Sequence, residues 1–102
     1  MTITEIAVKK AKQSRCKYQI SALGFNRNGD CVAKATNLSR FMKRGGGVHA
    51  EMRVMAQARS KGIVSILLCR VGINGGIKPI DPCETCAKKA SELGLKITSV
   101  PD

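Results

Sequence analysis

The chain has 102 residues, 43% apolar and 25% charged, which suits one compact domain over residues 1–102 and excludes a disordered polymer. No stretch approaches the roughly 18 apolar residues of a membrane span, and MTITEIAVKKAKQSR has no apolar stretch ahead of a cleavage site, so a cytoplasmic protein with no membrane partner is expected. Eighteen Lys and Arg against seven Asp and Glu give a net charge of +11, which points to a polyanion or a phosphorylated ligand.

Residues 4–14 place Ile6, Ala7 and Ala11 at helical spacing with lysines on the other faces, predicting a short amphipathic helix. YQISALGF (18–25) and DCVAKAT (30–36) then read as antiparallel strands, with Asn28-Gly29 suited to a tight hairpin. LSRFMKRGGG (38–47), with three basic residues and three glycines, is expected to be a mobile loop. From Val48 the period turns helical, with Val48, Met52, Met55 and Ala58 on one face and Gly62 just past the end. The almost wholly apolar IVSILLCRV (63–71) predicts a central strand covered on both faces. After a loop at 72–82, a third helix begins at Pro82 and lines up Cys83, Cys86, Ala87, Ala90 and Leu93. Gly94 ends it, and LKITSV gives a last strand parallel to the central one.

The chemistry concentrates at two helix starts, His49-Ala50-Glu51 and Pro82-Cys83-Glu84-Thr85-Cys86. One imidazole and two thiolates are three zinc ligands, and His49 is the chain's single histidine, so the fourth tetrahedral position is left for water, as at a catalytic site. Taken separately, Cys83 and Cys86 could be part of an apolar stripe and Glu51 an ordinary first-turn acid. Cys16, Cys31 and Cys69 lie in or beside apolar segments and are expected to pack as small core residues.

Together these residues form HxE…PCxxC, and the chain resembles the cytidine and deoxycytidylate deaminase superfamily from about Ser14 to Val100. Ser14-Arg15-Cys16, Asn37, the run HAEM at 49–52 and the run PCETC carry the resemblance. It implies an α/β three-layer sandwich, a mixed sheet of four or five strands with about three helices. It also implies Zn2+ held by His49, Cys83 and Cys86, with hydroxide supplied as nucleophile and Glu51 as the proton shuttle. By the same resemblance Asn37 contacts sugar or base, and backbone groups of Ala50 and Pro82 line the base pocket. Phe41 is placed to cover a base, and Arg40, Lys43 and Arg44 to grip a phosphate.

Four evident strands are one fewer than the superfamily core usually has, and the pocket has few residues to line it. A homo-oligomer, in which a neighbour helps to close the site, is therefore expected. Three function readings stay open at this point. The first is hydrolytic deamination of cytosine in a free nucleoside or nucleotide, favoured by only three aromatic residues. The second is the same reaction on single-stranded DNA or RNA, favoured by the charge. The third is a nonenzymatic zinc-binding module, against which Glu51 counts, since a structural site does not need it.

Overall fold

The computed structural model describes residues 2–16, 18–39, 47–82 and 84–100. Helix α1 (Ile3–Ala11) starts where the Thr2 hydroxyl accepts from the Glu5 amide, satisfying one of the first-turn donors that a helix cannot pair internally. Its Ala7 and Ala11 are buried at the predicted spacing. Strands β1 (Gln19–Phe25) and β2 (Cys31–Thr36) pair antiparallel, with Ala22 opposite Ala35. The turn between them is not the two-residue hairpin expected at Asn28-Gly29. Only Gly29 takes a positive φ, 83°, while the Asn26 carboxamide accepts from the amides of Asn28 and Asp30. A register shift at Gly24/Phe25 absorbs the extra residue.

The segment expected to be a loop over 38–47 has strands at both of its ends. Strands β3 (Leu38–Ser39) and β4 (Gly47–Val48) pair antiparallel as a separate two-stranded sheet. Val48 therefore belongs to a strand and not to the face of the following helix. That helix is also shorter than its periodicity suggested: α2 (Ala50–Met55) is followed by a break at Gln57 and a single turn, α3 (Ala58–Lys61), which ends on Gly62 at φ 65°. β5 (Ser65–Val71) follows, and the stretch read as loop after it contains β6 (Ile77–Lys78). The last elements are α4 (Glu84–Leu93) and β7 (Lys96–Ser99).

The main sheet has five strands and runs β2-β1-β5, with the outer edge of β5 shared by two strands. Residues 65–68 of β5 pair parallel with β7, and residues 70 and 71 pair antiparallel with β6. Side-chain alternation sorts β1 and β5 between two cores. Ala22, Ile66 and Leu68 face Ala50, Val54, Met55, Ala58, Cys86 and Ala90, whereas Leu23, Cys69 and Val71 face Ala7 and Ala11 of α1. The result is the expected α/β three-layer sandwich with a mixed sheet. Ala87 departs from the predicted stripe: it is exposed, and α4 buries Cys86 and Ala90 alone. Burial also pushes the Cys69 thiol above its usual pKa, which keeps it neutral and unreactive, as its placement in an apolar strand suggested.

Helix α2 approaches β1 so closely that a Cβ on Gly24 would lie 2.7 Å from Val54 Cγ1 and 2.9 Å from Ile63 Cδ1. Gly24→Ala is expected to overpack this contact and lower unfolding stability by about 1–3 kcal/mol, read as a lower denaturant midpoint. An unchanged midpoint would show that α2 can retreat at no cost.

Candidate active site

The site is assembled by the way each helix is entered. β3 and β4 fold the chain back beside the end of β2, and His49 follows β4 directly as the N-cap residue of α2, with extended backbone at φ −71° and ψ 143°. Its ring makes no capping hydrogen bond to the helix. Ala50 and Glu51 open the helix and are both buried. Cys86, 1% exposed, lies in the first turn of α4. The parallel β5–α4–β7 unit lays α4 beside α2 on one face of the sheet, so the two helix starts meet.

There His49 Nδ1 lies 3.3 Å from Cys86 Sγ and 3.7 Å from Glu51 Oε1. One ligand atom from each of the three residues falls within 4.8 Å of the others. The His49 side chain is 48% exposed and that of Glu51 5%, so the cluster has one open side and one walled side. A tetrahedral zinc ion, about 2.0–2.1 Å from imidazole nitrogen and 2.3 Å from thiolate sulfur, would separate those two atoms by about 3.5 Å. The 3.3 Å observed fits that separation, and an imidazole beside a thiol is a donor set that suits zinc.

The other residues singled out from sequence divide into two groups. Cys83, Arg40, Phe41, Lys43 and Arg44 lie outside the described residues. Ala50 is fully buried at the start of α2, and Pro82 is half-buried two residues before α4. Asn37 is already engaged by its own chain: its Oδ1 accepts from Ser14 Oγ at 2.7 Å and from the Ile20 amide at 3.1 Å, while its Nδ2 donates to the Tyr18 carbonyl at 2.7 Å. The expected contact with sugar or base would compete with these bonds, and here Asn37 fastens the end of β2 to the start of β1.

Two further clamps were not foreseen from sequence. Arg53 Nη1 donates to the Thr36 carbonyl at 2.9 Å, tying α2 to the strand end from which the β3–β4 hairpin springs. Ser99 Oγ donates to the Ile80 carbonyl at 2.6 Å, anchoring the segment that leads to Pro82. Position 53 is one helical turn after His49, and that spacing is the only signal the sequence offered for the first of them.

A five-stranded mixed sheet between helical layers, with a His-Glu-Cys cluster where two helices begin, is the architecture of a zinc hydrolase of nucleobases. Residues 1–100 match the family model described as the cytidine and deoxycytidylate deaminase zinc-binding region, and the chain belongs to that family. It is accordingly a zinc-dependent deaminase, and its general reaction is the deamination of cytosine.

Solved structures agree on the fold. Cytidine deaminase from Burkholderia pseudomallei superposes with a TM-score of 0.72 at 18% identity, covering 98% of this chain and 87% of that one. The enzyme from Mycobacterium leprae gives 0.69 at 19% identity, with 94% and 83% covered. That from Mycobacterium tuberculosis gives 0.64 at 17%, with 96% and 80% covered. No curated protein sequence matches the chain significantly.

Arg53→Met keeps the aliphatic stem but leaves the Thr36 carbonyl without this donor, in a residue only 8% exposed. A loss of about 1–3 kcal/mol in unfolding free energy is expected by denaturant titration. No loss would show that the bond contributes nothing to seating α2.

Proposed function

We propose that this enzyme converts cytosine to uracil in a free nucleoside or nucleotide, of the cytidine or deoxycytidine monophosphate kind. His49, Cys83 and Cys86 are the zinc ligands in this reading, and Glu51 carries the protons. The observation that supports it best is the buried Glu51 carboxylate, 3.7 Å from the Nδ1 of His49 at the end of the cluster that also holds Cys86. A structural metal site has no use for a walled-in carboxylate beside its ligands.

When bound, zinc supplies an activated water for attack on the base. Glu51 takes a proton from that water, delivers it to the ring nitrogen beside the attacked carbon, and then helps the amino group leave as ammonia. Hydrolysis balances as cytosine plus water giving uracil plus ammonia. Burial of Glu51 keeps bulk water from intercepting the proton, and the exposed side of His49 leaves a way in for substrate.

Backbone groups of Ala50 and Pro82 line the base pocket in this reading. Phe41 covers the base, and Arg40, Lys43 and Arg44 meet a phosphate. Asn37 acts by holding the strand ends together while offering its amide edge toward the sugar. We place the enzyme in the cytoplasm as a homo-oligomer, because a short chain has little surface with which to close a pocket alone. Among the described residues no helix is long and apolar enough to cross a membrane.

The net charge of +11 favours a second reading, the same chemistry on cytosine in a single strand. A panel of cytidine, deoxycytidine, their monophosphates and cytosine-containing oligonucleotides, followed through ammonia and uracil, separates the two. Turnover of the free nucleosides or nucleotides is expected. Reaction confined to oligonucleotides, with affinity falling steeply in salt, would overturn the first reading.

Two variants test the assigned roles. His49→Ala or Cys86→Ala should abolish stoichiometric zinc in elemental analysis, whereas Cys31→Ala should leave it near one per chain. Glu51→Gln should keep zinc and fold while lowering kcat by about 10²–10⁴-fold or more. Undiminished turnover in Glu51→Gln would remove the proton carrier from the mechanism.

A further inference from the structure

Two cations face each other across the end of the sheet. Arg70, near the end of β5, is directly opposite Lys78 of β6, an arrangement that ordinarily destabilises a strand pair. Side-chain alternation fixes their face. Leu68 of β5 belongs to the core shared with α2 and α4, and Arg70 follows two residues later, paired across the ladder with Ile20, which packs on that same core. Both cations thus point to the layer that holds His49, Glu51 and Cys86. They stand at the end of the sheet where β2 finishes and the hairpin leading to His49 begins.

The Arg70 guanidinium lies over the ring of Tyr18, 4.7 Å from its centroid. Contact with the ring face restrains where the guanidinium sits. Arg70 Nε is buried and, among the described residues, has no hydrogen-bond partner, which is costly for a charged donor. No described carboxylate forms a salt bridge with Arg70 or Lys78.

The two side chains and Tyr18 border an open groove of about 350 Å3, floored by Gly72. The Lys78 stem lies across that glycine, where a Cβ would come within 2.8 Å of Lys78 Cε.

We propose that Tyr18, Arg70 and Lys78, on the same face of the sheet as the His49-Glu51-Cys86 cluster, form a phosphate-binding shelf that receives the phosphate ester of the cytosine substrate. A phosphate there relieves the repulsion between Arg70 and Lys78, and can accept from the outer guanidinium nitrogens as well as from the ammonium. The inference rests on the reading of the protein as a cytosine nucleotide deaminase and assigns its specificity to residues outside the basic segment at 40–44. A mononucleotide offers this chemistry as a monoester and a strand offers it as a diester; the two are distinguished below.

The test has two independent readouts. For the wild type and for Arg70→Gln and Lys78→Gln, kcat and KM are measured with cytidine, cytidine monophosphate and a short cytosine-containing oligonucleotide. KM for the phosphate-bearing substrate is expected to rise about tenfold or more in each variant, with kcat unchanged and cytidine kinetics unaltered. Arg70→Lys should recover only part of the loss, since an ammonium lacks the fork. An effect on the monophosphate identifies a monoester site, and an effect on the oligonucleotide alone a diester site.

The second readout does not need turnover. Tyr18 is the only tyrosine and the chain has no tryptophan, so intrinsic fluorescence reports on the shelf alone. Inorganic phosphate should change the Tyr18 emission saturably in the wild type and not in Arg70→Gln. Should no cytosine substrate be deaminated while this saturable change persists, the shelf stands and the functional reading falls.

Equal effects of the variants on cytidine and its monophosphate would overturn the shelf, as would wild-type fluorescence with no saturable response. A change of oligomeric state in Arg70→Gln would do the same, by showing that a second copy of the chain covers this surface.

Discussion

The 3.3 Å approach of His49 Nδ1 to Cys86 Sγ is the contact on which the site depends, and the two residues are 37 positions apart in sequence. Neither helix start could hold a metal alone. The approach exists because α2 and α4 share one apolar layer, with Ala50, Val54, Cys86 and Ala90 buried together over Ala22, Ile66 and Leu68. Small side chains predominate at that interface, which lets the helices lie close to the sheet. Gly24 extends the same logic to the strand, where even one methyl group would meet Val54 and Ile63.

Around that contact the chain uses side chains to hold backbone. Asn37 ties the end of β2 to the start of β1, Arg53 ties α2 to the Thr36 carbonyl, and Ser99 ties β7 to the segment before Pro82. Each clamp acts on a connection adjoining the His-Glu-Cys cluster, where backbone groups lack the ladder partners that regular strands provide. Glu51 is buried at the cluster, whereas Arg70 is half-buried and Lys78 exposed at the end of the sheet.

Much of this was legible from residue types and their spacing. The apolar run 63–71 announced a strand covered on both sides, and Ile66 and Leu68 do face one layer while Cys69 and Val71 face the other. The motif at 49–51 and 82–86 announced a metal cluster, and His49, Glu51 and Cys86 converge. What was not legible depends on distance in sequence or on brevity. Two-residue strands such as β3, β4 and β6 are too short to show a period, and the break at Gln57 interrupts an apolar pattern that continues past it to Ala58. The tie that Asn37 makes to Ser14, Tyr18 and Ile20 was not legible either, because those partners are known only once the strands are paired. Arg70 drew no notice within the apolar run, because its position opposite Lys78 depends on the pairing of β5 with β6.

X-ray absorption at the zinc edge of the purified protein tests the proposed open site, in which His49, Cys83 and Cys86 hold zinc beside the Glu51 carboxylate. The account predicts four-coordinate zinc with two sulfur scatterers at about 2.3 Å and two light-atom scatterers at about 2.0–2.1 Å, one with the outer-shell signature of an imidazole ring and one exchangeable for a small anion. Zinc coordinated entirely by non-exchangeable protein ligands, or by more than two sulfurs, would contradict it.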